Sequence, residues 1–140
     1  MPTEKDYCDY DTCVALKKLG YKEKTLAYYT SEGFFHWRRA YIYDAAIPDL
    51  AKSSNKELYK HVLDAVSLYE AQEFLREEKG INIFVMQITI EGSGMHRYAS
   101  YIQSGDRIWI CRYYSLYEEA LIEGLRTSIK ILQDEQKENN

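Results

Sequence analysis

The sequence has no apolar run long enough to cross a membrane. Its longest, "INIFVMQITI", is interrupted by Asn82 and Gln87 and falls well short of the ~20 residues a membrane helix requires. The opening stretch "MPTEKDY" carries no apolar segment either, so no signal peptide is expected. Basic charge is also short: 18 Lys and Arg stand against 22 Asp and Glu, a net charge of −4. Nucleic-acid binders usually carry a basic surplus, so this balance counts against that class while leaving room for a local basic patch. Cysteines are few and odd in number, Cys8, Cys13 and Cys111. With no leader, the expectation is a cytoplasmic protein with reduced thiols.

The signatures of common chemistries are missing as well. There is no G-x-S-x-G, no H-E-x-x-H and no catalytic-cysteine motif. "EGSGMHR" has two glycines but lacks the Lys and Ser/Thr of a phosphate loop, and it reads as a hairpin turn. Cys8 and Cys13 are spaced C-x4-C among Asp6, Asp9 and Asp11, but a structural zinc site would want a second Cys or His pair. No metal and no cofactor are expected; Cys13 reads as a core residue and the aspartates as helix caps. Glu77-Glu78 and Glu118-Glu119 are adjacent on helices, where neighbouring side chains diverge rather than converge on a substrate.

What is present is enough for one domain over residues 1–140, large enough to fold without a staple. The ends, 1–5 and 133–140, are expected to be disordered, the latter without a large apolar residue. In "DYDTCVALKKLGY", Asp9 or Asp11 can cap a helix whose stripe is Cys13, Leu16 and Leu19, with Gly20 ending it. "KTLAYY" and "FFHWRRAYIYDA" flank "TSEG" as a β-hairpin that Pro48 ends. Ser54 and Glu57 then make a capping box for a short helix carrying Leu58, Val62, Leu63 and Val66. A second helix follows in "SLYEAQEFLREEKG". After it come three strands, "INIFVMQITI", "MHRYASYIQ" and "RIWICRYY", joined by short Gly turns into an antiparallel meander. "INIFVMQITI" is apolar on both parities, which predicts a central strand. The last helix, "SLYEEALIEGLRTSIKIL", contains Gly124, a residue that lets a helix come close to a sheet.

The order α-β-β-(α)-α-β-β-β-α predicts an α+β fold, an antiparallel sheet of about five strands with helices mainly on one face. The tetrapeptide "SLYE" occurs twice, from Ser67 and from Ser115. Both copies open a helix, and Ser at N-cap with Glu at N3 is a capping box. The flanking residues do not align, so the repeat reads as helix-start chemistry, with Leu68 and Leu116 turned into the core.

The succession "VALKKLGY", "LAYYTSEG", "LYEAQEFLREEKGINI" and "YEEALIEGLRTSIKI" resembles a group of small proteins of phages, prophages and mobile elements in gut anaerobic bacteria. The likeness covers most of the chain and departs between Asp49 and Val66, where this chain is longer. No activity is established for that group, so the resemblance implies a source and a fold, and no reaction.

Two strand faces stand out. Trp37, Arg39 and Tyr41 alternate on one strand, and Arg107, Trp109 and Tyr113 on another. Exposed Trp, Tyr and Arg are common interface anchors, so these residues are the expected binding surface of a non-catalytic accessory protein that contacts another protein or a second copy of itself. Cross-strand packing of aromatics with Arg is the structural alternative. Nucleic-acid binding through the same strands is a further reading. The order α-β-β-β-α from Ser67 to Leu132 is that of a double-stranded RNA binding domain, but Glu118 and Glu119 sit where such a domain needs basic residues. An enzyme built around His36 or His96 is a third reading.

Overall fold

Asp9 starts the first helix: its Oδ1 accepts the Thr12 amide at 2.8 Å, and helix α1 runs over Tyr10–Lys18. Gly20, at φ 110°, ends the turn beyond it, a conformation only glycine adopts freely. The computed structural model describes residues 3–37 and 62–138. The chain divides into two compact units, residues 1–67 and 68–140.

In the first unit, strands β1 (Ala27–Tyr29), β2 (Phe35–Trp37) and β3 (Leu63–Ala65) form an antiparallel sheet in the order β2-β1-β3. Gly33, at φ 90°, lets the β1–β2 connection close, its amide bonding to the Thr30 carbonyl at 2.9 Å. The residues Ala27, Tyr29, Leu63 and Ala65 are buried, and α1 packs against β3. Tyr7, Tyr29, Phe35 and Trp37 form a chain of tilted and edge-on rings with centroids 5.1–5.6 Å apart, the geometry aromatic quadrupoles favour.

The second unit is a helix, a three-stranded meander and a helix: α2 (Leu68–Lys79), β4 (Ile81–Ile90), β5 (Met95–Ser104), β6 (Arg107–Tyr114) and α3 (Tyr117–Glu138). The sheet order is β4-β5-β6, antiparallel throughout. Helix α3 lies on one face of this sheet and comes close to it at Gly124. A Cβ there would stand 2.8 Å from Ile83 Cγ2 and 2.9 Å from Ser100 Cβ. Leu121, Leu125 and Ile129 from α3 are buried, as are Ile81, Ile83 and Ile102 from the sheet. Helix α2 lies beside α3 and β4, contributes Leu75 and Ala71 to the buried set, and sends Gln72 Nε2 to the Ile83 carbonyl at 2.9 Å.

The architecture is α+β, as the element pattern predicts, but one sheet of about five strands is replaced by two sheets of three. The extra strand is β3. The expected helix from Ser54 to Val66 falls largely outside the described residues; its end, Leu63–Ala65, pairs with β1 instead. Buried Leu63 and Ala65 flank half-buried Asp64, a period of two that overrides the helical spacing read from Leu63 and Val66. The strand expected to be central, β4, is an edge strand, and β5 is central. Helix α3 passes Leu132 and runs to Glu138: Gln, Glu and Lys sustain a helix without adding to a core.

The two "SLYE" copies differ. Helix α2 begins directly after Ser67, and Leu68 is buried. At the second copy the Ser115 hydroxyl accepts from Arg97 Nη1 at 3.1 Å, the helix begins at Tyr117, and Leu116 is exposed. Among the described residues no helix is long and apolar enough to cross a membrane.

Candidate functional site

Side chains directly opposite each other in an antiparallel pair share a face. The pairs Ile83↔Ile102 and Ile102↔Trp109 therefore lie on the face that α3 covers. The pairs Phe84↔Tyr101, Met86↔Ala99, Ile88↔Arg97 and Ile90↔Met95 lie on the other, together with Tyr101↔Ile110 and Gln103↔Ile108. On that second face Phe84, Met86, Ile90, Met95, Ile108 and Ile110 are exposed, Ile108 and Ile110 by 65% and 66%. Ala99, in the middle of the central strand, is fully buried. Among the described residues of this face the only charged side chain is Arg97, whose guanidinium is tied to Ser115. The result is a continuous apolar surface with Asn82 and Gln103 as its polar end.

The β4–β5 ribbon gives this face its meaning. Towards its tip the α3-side positions become polar: Gln87, Thr89 and His96, with His96 Nδ1 2.9 Å from Gln87 Nε2 and 3.1 Å from Thr89 Oγ1. That is how a strand treats water. The opposite positions at the same level, Met86, Ile88, Ile90 and Met95, stay apolar. One ribbon thus carries polar side chains on the α3 side, where the helix no longer covers it, and, Arg97 apart, apolar ones on the other side. Exposed apolar patches of this kind mark interaction sites.

The residues singled out from the sequence fall in three places. Arg39 and Tyr41 lie outside the described residues. Trp37 is half-buried in the first unit, edge-on to Tyr7 and Phe35, so it supports that unit's aromatic cluster. Arg107 and Trp109 lie on the α3 side of the second sheet, the guanidinium 4.8 Å from the indole centroid. This is cation–π packing between neighbours on one face of a single strand. Tyr113 does not share their face. Strand β6 gains a residue on β5 between Ala99 and Tyr101, and this bulge pairs Tyr113 with Ala99 on the open side. Cys111 remains on the helix side, its Sγ 3.8 Å from Thr127 Oγ1. The expected single aromatic and Arg surface is therefore divided between two sheets and, within β6, between two faces.

The signal that would have found the open face is the second parity of the same strands. "INIFVMQITI" is apolar on both parities, and in "RIWICRYY" Ile108 and Ile110 alternate with Arg107 and Trp109, so each strand carries a second apolar set that a single covering helix does not bury.

His36 and His96 have quiet surroundings. His36 is exposed and stacks on Tyr28 at 5.5 Å, and His96 is held by Gln87 and Thr89. Cys13 is buried; the Val66 amide donates to its Sγ at 3.3 Å, and the Cys8 carbonyl is 3.6 Å away. The adjoining Cys8 side chain holds the Cys13 thiol below its ordinary range, against the opposing effect of burial. Among the described residues no cluster of three His, Cys, Asp or Glu could hold a metal ion.

Compared with protein-family models, with curated proteins and with solved structures, the chain finds no match.

Proposed function

We propose that this protein is a non-catalytic binding module that contacts another macromolecule through the open face of its second sheet. The observation that carries this reading is the asymmetry of the β4–β5 ribbon, polar on the side that α3 leaves bare and apolar on the other. An apolar face with a single tethered cation suits a protein surface better than a phosphate backbone, which calls for clustered Lys and Arg. The resemblance in the sequence would make it an accessory protein of a phage or mobile element.

The test is capture by the tagged chain, with nuclease present, using wild type and Ile110→Lys. A protein retained after nuclease and lost in the variant is the expected result. Apolar contact also predicts binding that withstands raised salt. Binding that collapses with salt would instead favour nucleic acid, and capture unchanged by Ile110→Lys would remove the face from consideration.

A further inference from the structure

We infer that the occupant of this open face is the same face of a second copy of the chain, forming a two-fold dimer with the two meanders stacked sheet on sheet. The inference rests on the binding reading above and narrows it to one partner.

Area is the first argument. Phe84, Met86, Ile90, Met95, Ile108, Ile110 and Tyr113 are 43–66% exposed, which leaves roughly 100 Å² of each in solvent, about 700 Å² together. A patch of that size exceeds what monomers usually leave bare. Two copies meeting face to face would bury about 1,400 Å², within the range of specific interfaces and above the ~1,000 Å² such an interface must clear.

Charge is the second. A two-fold axis brings each patch against itself, so any charged cluster would meet its own sign. This face avoids that conflict: its only described charge, Arg97, sits at the ribbon end and is bonded to Ser115. The chain as a whole carries −4, and none of the described residues of this face is a carboxylate, so two copies can meet here without bringing acidic groups together.

Shape is the third. Sheets stack about 10 Å apart with interdigitated side chains. On the open face exposed Met86 and Tyr113 stand on either side of fully buried Ala99, a low point between higher side chains into which a partner's side chain can pass.

The test is sedimentation equilibrium of the full chain from about 1 to 100 μM, a range that brackets micromolar association. Wild type, Ile110→Lys and Ile108→Lys are compared, with Thr89→Lys on the polar side of the ribbon as control and far-UV circular dichroism as the check on folding. The expected result is a dimer for wild type and Thr89→Lys, and association weakened at least about 100-fold for the Ile variants, because each copy would bury an unpaired ammonium. A wild-type chain that stays monomeric throughout overturns the inference, as does a dimer indifferent to both Ile variants. The capture experiment separates the two failures. A monomer that still binds a foreign protein through Ile110 leaves the binding module standing without self-association. A monomer with no Ile110-dependent capture removes both.

Discussion

Replacing Gly124 by Ala sets two effects of known sign against each other. In a helix interior Ala is favoured over Gly by about 1 kcal/mol, so an α3 free of contacts would gain stability. Here the new methyl would stand 2.8 Å from Ile83 Cγ2 and 2.9 Å from both Ser100 Cβ and Ser100 Oγ. Neither neighbour yields easily. Ile83 is a branched, buried side chain, and Ser100 Cβ is fixed to the backbone of the central strand. Overpacking a tight core costs about 1–3 kcal/mol, so the net expectation is a loss of about 1 kcal/mol, lowering a urea midpoint by roughly 0.5–1 M at the usual slope for small proteins. Urea titrations followed by circular dichroism measure it. Repeating the substitution in a Ser100→Gly background removes two of the three close contacts and should shrink the loss, a coupling that a double-mutant cycle reads directly. If Gly124→Ala stabilises the protein by the full helical preference, α3 does not lie on the sheet as closely as described and the reasoning fails.

Other outcomes follow from single contacts. Ser100 Oγ is buried without a hydrogen-bond partner, so Ser100→Ala should raise stability by about 1 kcal/mol; a loss would mean the hydroxyl is satisfied. Asp9→Ala removes the cap of α1 and should cost about 1 kcal/mol in the same titrations. Burial pushes the Tyr29 hydroxyl above its ordinary 10.0, so the folded unit favours the neutral phenol. The stability this confers is complete below pH 10 and is lost as pH climbs towards the folded value. Tyr29→Phe loses the 2.6 Å bond to the Cys8 carbonyl and should be less stable at pH 7 yet flatter than wild type above pH 10; equal slopes would refute the assignment.

Local pattern carried far in this chain. The helix boundaries at Asp9, Gly20, Ser67 and Gly80 are where capping and left-handed glycine chemistry place them, because those interactions involve residues a few positions apart. The three-strand meander was legible for the same reason, and the close approach at Gly124 because a glycine inside an otherwise apolar helix stripe marks a place with no room for a side chain. Strand β3 was not, since Leu63 and Ala65 become a strand only when β1 offers its edge. Nor was the outward turn of Tyr113, which depends on a bulge against β5. The binding surface was legible in composition and misplaced in space: alternation shows that two parities exist, but not which one a helix covers.

The sequence by itself determined the α+β class, the antiparallel meander, the helix ends at Asp9, Gly20, Ser67 and Gly80 and the low basic charge, all consequences of local pattern and composition. Only the tertiary structure decided that the strands part into two sheets, that Arg107 and Trp109 lie on the helix side, and that Phe84, Ile108 and Ile110 face solvent. Pairing partners and the face a helix chooses depend on residues distant in the chain, and a one-residue bulge is enough to send a side chain to the opposite side.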